Sequence, residues 1–377
     1  MNLLDNDYNN YNGSLGVDYS KDKTKFVVWA PNANNVRLVL FTSNEKEYND
    51  PPQEIIEMNR GENGTWSIEV KRDLNKVFYN YLITNSGNER EVTDPYAKAV
   101  GVNGRRGMVL DLKETDPKGF EYDIRPELSS ASGSIIYELH IRDFSINEMS
   151  GIDEDKKGKY TAFTQEGSSI PCEFSKTGIS YLKDLGITHV HLMPCFDYAT
   201  VDEERLDKPQ YNWGYDPQNY FVPEGSYSTN PYSGSQRIKE FKEMVLALHK
   251  AGIRVIMDMV YNHTYKSYDS NLNLAVPGYY YRCDQNRNFS NGSGCGNELA
   301  SERFMVRKLI VDSVIYWAKE YHIDGFRFDL MGLHDIDTMK AIRNELNLID
   351  PSIIIYGEGW TGGGTSLDGH IQSSKQN

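Results

Sequence analysis

From residue 133 onward the chain alternates between two hydrophobic periods, and that alternation constrains its fold more than any other feature. "SIIYELHI" is a short apolar run, "TGISYLKDLG" sets Ile179, Leu182 and Leu185 at helical spacing, and "ITHVHLMP" is a second apolar run. "SQRIKEFKEMVLALHKAG" lines up Ile238, Phe241, Val245 and Leu248 on one stripe, and Gly252 closes that helix. A third strand, "IRVIMDMV", precedes "VRKLIVDSVIYWAKEY", whose inward stripe is Val306, Ile310, Val314, Trp317 and Tyr321. "IDGFRFDLMG" reads as a fourth strand, "DIDTMKAIRNEL" as a helix ending before Pro351, and "SIIIYGEGW" as a fifth strand. Strand–helix units with near-continuous apolar strands imply a parallel sheet covered by helices.

The acids fall at the strand ends. Asp258 follows "RVIM", Asp329 follows "GFRF" and Glu358 follows "IIIYG". In a (β/α) barrel the C-terminal strand ends open into the active site. Asp329 and Glu358 are 29 residues apart, one strand–helix–strand unit, so they belong to neighbouring strands facing one cleft. Arg327 and Asp329 share a strand face, with Phe326 and Phe328 on the other. A cation beside Asp329 is expected to lower its pKa and keep it ionised, as a carboxylate nucleophile requires. A structural ion pair would give the same pattern. Glu358 has no neighbouring cation in sequence, only Gly357, Gly359 and Trp360, and a carboxyl near an apolar ring can hold a proton. Two such carboxyls suit glycoside hydrolysis. Asn262 and His263 in "DMVYNHT" could hydrogen-bond sugar hydroxyls, though a lone His is commonly structural. "YNWGYDP" gathers Tyr211, Trp213 and Tyr215 in a turn, where they could stack on pyranose rings or simply anchor the loop.

Residues 13–112 read as β only. "KFVVWAP", "NVRLVLF", "GTWSIEV" and "FYNYLIT" alternate between Gly, Asn and Pro turns, and "GMVLDL" closes the set. This spacing argues a β-sandwich over 1–112. Residues 113–132, charged and then Ser/Pro-rich, read as a linker to the module at 133–377. With 40 basic against 54 acidic residues the net charge is −14, which disfavours nucleic acid and anionic membranes as partners. No protein partner is indicated. "MNLLDNDYNN" has no apolar leader core and no run reaches ~18 apolar residues, so a cytoplasmic protein is expected. Cys172, Cys195, Cys283 and Cys295 form no CxxC pair; free thiols are expected, with a Cys283–Cys295 bridge as the lesser reading.

Taken together, these residues resemble the α-amylase superfamily, glycoside hydrolase family 13, and within it the type I pullulanases. "DMVYNH", "GFRFDLMG" and "YGEGW" are similar to three conserved regions of the family, and "YNWGYDP" to the pullulanase signature. The β-rich segment is similar to the starch-binding sandwich that precedes the barrel in such enzymes. The resemblance implies an N-terminal all-β sandwich followed by the first five strands of a (β/α)8 TIM barrel. It implies Asp329 as nucleophile, Glu358 as general acid/base and Arg327 as the residue that orients the nucleophile. His263 would bind the sugar at the cleaved bond, Asp258 would brace the site and Tyr215 would lie under the sugar. Asn262, Trp213 and Trp360 complete the expected glucan-binding set. No cofactor is implied; some family members bind calcium, but no acidic loop here argues for it.

The implied activity is retaining hydrolysis of α-1,6 branch linkages in α-glucans. An isoamylase-like debrancher, a branching enzyme, or a glucan-binding fragment without turnover are the alternatives. The family's fourth conserved region, with a second His and a third carboxylate, has no counterpart here. His370 and Asp368 lie too near the fifth strand to supply it. The expectation is a truncated chain with little activity by itself.

Overall fold

The computed structural model describes residues 10–41 and 50–374. The first nine residues, in which no leader core was visible, lie outside that range. Nine strands come first: β1 (Gly16–Tyr19), β2 (Thr24–Trp29), β3 (Asn35–Leu40), β4 (Glu54–Glu57), β5 (Asn59–Arg60), β6 (Thr65–Val70), β7 (Phe78–Asn85), β8 (Asn88–Val92) and β9 (Gly107–Met108). They form two antiparallel sheets, ordered β1-β2-β6-β5 and β4-β3-β7-β8, with β9 on β7. Phe26, Val36, Leu38, Tyr81 and Ile83 are fully buried in their core. "GMVLDL" contributes only the two residues of β9 to pairing.

The second module runs β10 (Ile136–Leu139), α1 (Gly178–Leu185), β11 (His189–Leu192), β12 (Phe196–Tyr198), β13 (Pro217–Pro223), α2 (Gly234–Lys250), β14 (Arg254–Met259), α3 (Asn271–Ala275), α4 (Phe304–Glu320), β15 (Gly325–Phe328), α5 (Ile336–Ile349) and β16 (Ile354–Gly357). The sheet is β10-β11-β14-β15-β16, parallel throughout. The apolar stripes of α2 and α4 are buried as expected, each residue at 1 % exposure or less. The α1 stripe is shorter than its spacing suggests. Ile179 and Leu182 are buried, whereas Leu185, in the last turn before the left-handed Gly186, is exposed. An antiparallel hairpin, β12–β13, interrupts the strand–helix alternation and carries the Tyr/Trp turn on its connection. No described helix is long and apolar enough to cross a membrane.

The modules are joined by specific contacts. Trp29 meets Tyr279 edge-on at 4.8 Å, and Tyr96 meets Phe221 at 5.0 Å. Gly104 has φ +62°, and a Cβ there would meet Gln218 Nε2, Asp197 Oδ2 and Asn219 Nδ2 at 2.4–2.6 Å, so only glycine fits this crossing. Residues 113–132 are fastened against the barrel helices. Thr115 and Phe120 are buried. The fully buried Lys242 of α2 donates to Thr115 Oγ1 (3.0 Å), Asp116 Oδ1 (2.5 Å) and Glu320 Oε1 (2.5 Å).

A histidine locks the same segment. His249 sits between Asp123 (2.7 Å) and Asp324 (2.8 Å), and His322 also reaches Asp123 (2.8 Å). Burial alone would lower the His249 pKa, but the two carboxylates outweigh it and raise it to about 9. The same contacts overcome burial at Asp123 and hold its carboxyl below the usual range. A raised folded-state pKa means that the His249 contribution is fully present below about 6.5, its unfolded value, and is lost as pH rises through 9. We therefore expect the melting temperature to fall between pH 7 and 10, and His249→Gln to flatten that limb. Thermal melts of both proteins across this range are the check; parallel profiles would contradict the assignment.

Candidate active site

Parallel registration builds the site. Asp258 of β14 pairs with Arg327 of β15, and Arg327 with Tyr356 of β16, so the three stand in one row across the sheet. Asp329 and Glu358 follow immediately after the ends of β15 and β16. Phe326 and Phe328 are fully buried on the opposite face, which fixes the strand and therefore the direction of Arg327.

One guanidinium holds three carboxylates. Arg327 Nη1 donates to both oxygens of Asp258 at 2.9 Å and to Asp329 Oδ1 at 3.0 Å. Its Nη2 lies 2.7 Å from Glu358 Oε1. Burial would lower the arginine's pKa; Asp258 outweighs burial and raises it, so the cation is permanent. Asp329 also accepts from Asn262 Nδ2 at 2.8 Å. Leu330 N donates to Glu358 Oε2 at 3.1 Å, from a residue at φ +41°. That conformation is rare for a bulky L-residue, and strain of this kind concentrates at functional sites.

Two expectations are corrected here. Glu358 is not a carboxyl without a cation beside Trp360; a fold contact invisible in sequence sets Arg327 against it. Nor does Arg327 depress Asp329. Burial, and then the like charge of Asp258, raise Asp329 to about 6, outweighing Asn262 and Arg327. The arginine's charge is already engaged by Asp258, so little is left to offset the desolvation of Asp329.

The other expected residues are placed as follows. Tyr215 is partly buried and its hydroxyl donates to Asp258 Oδ2 at 2.8 Å. Trp213 and Tyr211 are exposed, and the Trp213 indole donates to the Tyr211 hydroxyl at 2.6 Å. With Tyr215 and Thr200 they line an open pocket of about 530 Å³. Trp360 is half exposed beyond Glu358. His263 is buried: Nε2 donates to the Tyr215 carbonyl (3.0 Å) and Nδ1 lies 2.5 Å from the Asn262 amide. Burial lowers its pKa to about 4, so the ring is neutral at pH 7. The one N–H of the neutral ring goes to the Tyr215 carbonyl, so His263 fixes the backbone of the aromatic turn.

Sequence reasoning passed over His191, Tyr356 and His140. His191 Nε2 lies 3.4 Å from Asp258 Oδ2, and the Tyr356 hydroxyl lies 3.2 Å from His191 Nδ1. His140 Nε2 meets the Asn212 carbonyl at 2.8 Å and fastens the aromatic turn. The signal available was position alone: a polar residue on an inward strand face, as in "HVHL".

Asp197, Glu203 and Glu224 are buried close enough together to hold a cation. Arg237 already stands among them, 2.9 Å from Glu203 and 3.4 Å from Asp197, so the chain supplies that positive charge itself. The four cysteines are free thiols.

The likenesses to known proteins agree with this architecture. Residues 14–97 match carbohydrate-binding module 48 (isoamylase N-terminal domain), and residues 176–276 match the alpha amylase catalytic domain. The chain is 44 % identical to the pullulanase of Bacillus subtilis (strain 168) over 93 % of its length, covering 47 % of that relative. It is 33 % identical to the chloroplastic pullulanase 1 of Arabidopsis thaliana, over 97 % of this chain and 42 % of the relative. The crystal structure of Paenibacillus barengoltzii pullulanase in complex with maltohexaose and alpha-cyclodextrin superposes with TM-score 0.96 at 46 % identity, over 100 % of this chain and 57 % of that one. The chain thus spans about half the length of the relatives it matches. Its two modules are a carbohydrate-binding β-sandwich and part of an α-amylase-type (β/α) barrel, the architecture of a glycoside hydrolase. Within that class the relatives and solved structures named above are pullulanases, matched over about half of their length.

The charge arrangement makes a signed prediction. In a carboxyl-carbon NMR titration, Asp329 should titrate near pH 6. Arg327→Met, which removes the opposite charge, should move the midpoint up; Asp258→Asn, which removes the like charge, should move it down. An Asp329 midpoint near 4 in the unaltered chain would contradict the burial argument.

Proposed function

We propose that this site hydrolyses α-1,6-glucosidic branch linkages in pullulan, starch or glycogen-type α-glucans, with retention of anomeric configuration. The observation that carries the reading is the pairing of Asp329 and Glu358 on adjacent nitrogens of one guanidinium. Bridging by a single cation favours the closer of the two carboxyl spacings used by glycosidases, roughly 5–5.5 Å, at which one carboxylate attacks the sugar directly.

In the first step a carboxylate oxygen of Asp329 bonds to the anomeric carbon. The bond from that carbon to the branch oxygen breaks, and Glu358 gives its proton to the departing oxygen. In the second, Glu358, now a carboxylate, takes a proton from water. The water oxygen bonds to the anomeric carbon and releases Asp329. Asn262 and Arg327 aim the Asp329 carboxylate, while Asp258 and Tyr215 hold Arg327 in place. With Asp329 near 6, the deprotonated nucleophile predominates at pH 7 and is lost as pH falls below 6. Trp213, Tyr211 and Trp360 offer exposed faces to further glucose rings. The names of the relatives favour a pullulanase over an isoamylase-like debrancher: the pullulanases stand at 32–44 % identity, the isoamylase 3 of rice at 30 %.

The test is maltotriose release from pullulan by the 377-residue chain. Asp329→Ala should reduce release by at least about a thousandfold, as loss of a covalent nucleophile does. Release that survives the substitution would overturn the assignment.

A further inference from the structure

A chain with a net charge of −14 gathers four cations around one small cavity. The cavity encloses about 350 Å³ in the barrel module, and Arg142, Lys157, Lys159 and Lys208 line it against a single carboxylate, Asp207. The cations are brought together by the backbone. Gly158 stands between two of the lysines at φ +71°, and a Cβ there would meet Arg142 Cγ at 3.2 Å, so glycine lets the lysine turn approach the arginine. Gly158 N donates to Ser145 Oγ at 2.8 Å and fixes that approach.

The neighbouring acids leave much of this charge uncompensated. Asp207 is taken by Arg205, 3.2 Å away and outside the lining. Asp143 pairs with Arg142 at 3.0 Å and Glu154 with Lys157 at 2.8 Å, but both carboxylates are exposed, where such pairs are worth little. Among the described residues Lys159 has no salt bridge; its Nζ donates to the Ser226 carbonyl at 2.8 Å. The Lys208 side chain has neither a hydrogen bond nor an ion pair among them.

Lys159 carries the cost of this arrangement. Burial lowers its pKa, Glu240, Glu224 and Glu203 oppose the shift, and Arg142 adds to it. Those three carboxylates are engaged elsewhere: Glu240 by Thr229 and Gln236, Glu224 by the Tyr198 and Ser226 amides, Glu203 by Arg237. Like charges held together in a half-buried cavity repel one another, and an anion between them relieves the repulsion. A dianion with several oxygens answers several cations at once, and guanidinium and ammonium groups both bind phosphate. The volume lies at the small end of ligand pockets and suits one sugar-sized molecule.

We propose that this pocket binds a phosphate dianion, as inorganic phosphate or as the phosphate ester of a single sugar, with Arg142, Lys159 and Lys208 supplying the charge that recognises it. The site is separate from the Asp329/Glu358 pair, neither of which lines it.

The probes are glucose 6-phosphate, inorganic phosphate and, as the neutral control, glucose. Each is titrated calorimetrically at low salt into the unaltered 377-residue chain, Lys159→Met and Lys208→Glu, all shown by melting to be folded. Both phosphates should bind and glucose should not. Lys159→Met should weaken binding at least about tenfold, as loss of a charge-assisted hydrogen bond does. Lys208 is exposed, so Lys208→Glu keeps the fold and, by reversing a charge, should also weaken binding about tenfold. Added salt should weaken both phosphates. Tighter binding of glucose 6-phosphate than of inorganic phosphate would assign the sugar ester; equal affinity would assign the phosphoryl group alone. Glucose binding as tightly as its phosphate, no binding of either phosphate by the unaltered chain, or affinity within twofold of the unaltered chain in Lys208→Glu overturns the proposal.

Discussion

The site depends on one cation. Arg327 is the point at which Asp258, Asp329 and Glu358 meet, and each lies within 3.0 Å of its guanidinium. Three carboxylates around one arginine cannot all be compensated, and the imbalance falls on the group that is buried and holds the smaller share of the cation. That group is Asp329, whose pKa rises to about 6. The arrangement gives a carboxylate ionised at neutral pH yet poorly solvated, which is a reactive state for a nucleophile. A second buried arginine, Arg237, does comparable work behind the aromatic hairpin, binding Asp197 and Glu203.

The rest of the fold keeps that guanidinium in place. The parallel register sets Asp258, Arg327 and Tyr356 in one row, and the buried phenylalanines of β15 prevent the strand from turning over. The β12–β13 hairpin delivers Tyr215 to Asp258, while His263 and His140 hold the backbone of the turn that carries it. The segment between the modules is anchored by Lys242 and His249, so the sandwich is held against the barrel by ion pairs as well as by the Trp29–Tyr279 and Tyr96–Phe221 contacts.

Much of this was legible in the sequence because it depends on period and position. The helical stripes of α2 and α4, the five barrel strands and the acids at their ends all follow from local pattern. What was not legible depends on pairing between distant elements. Nothing in "YGEGW" reveals that Arg327 reaches Glu358, because that contact needs the register of β15 against β16. The direction of the Asp329 shift was misread for the same reason: neighbouring sequence shows the arginine, and only the fold shows Asp258 and the burial. His191 joins the site only when β11 lies beside β14, and Tyr356 only when β16 lies beside β15. The β12–β13 hairpin was hidden by its polar inward residues Asp197 and Asn219, and Leu185 by its place in the last helical turn.

The most direct test of the account is to trap the covalent step. A 2-deoxy-2-fluoro α-glucosyl fluoride slows release of the glycosyl-enzyme, and digestion with mass spectrometry then locates the label. The account predicts a single fluoroglucosyl group on Asp329, lost in Arg327→Met because the carboxylate is no longer aimed. A label on Glu358 or Asp258, or on Asp329 at an undiminished rate in the arginine variant, would contradict it.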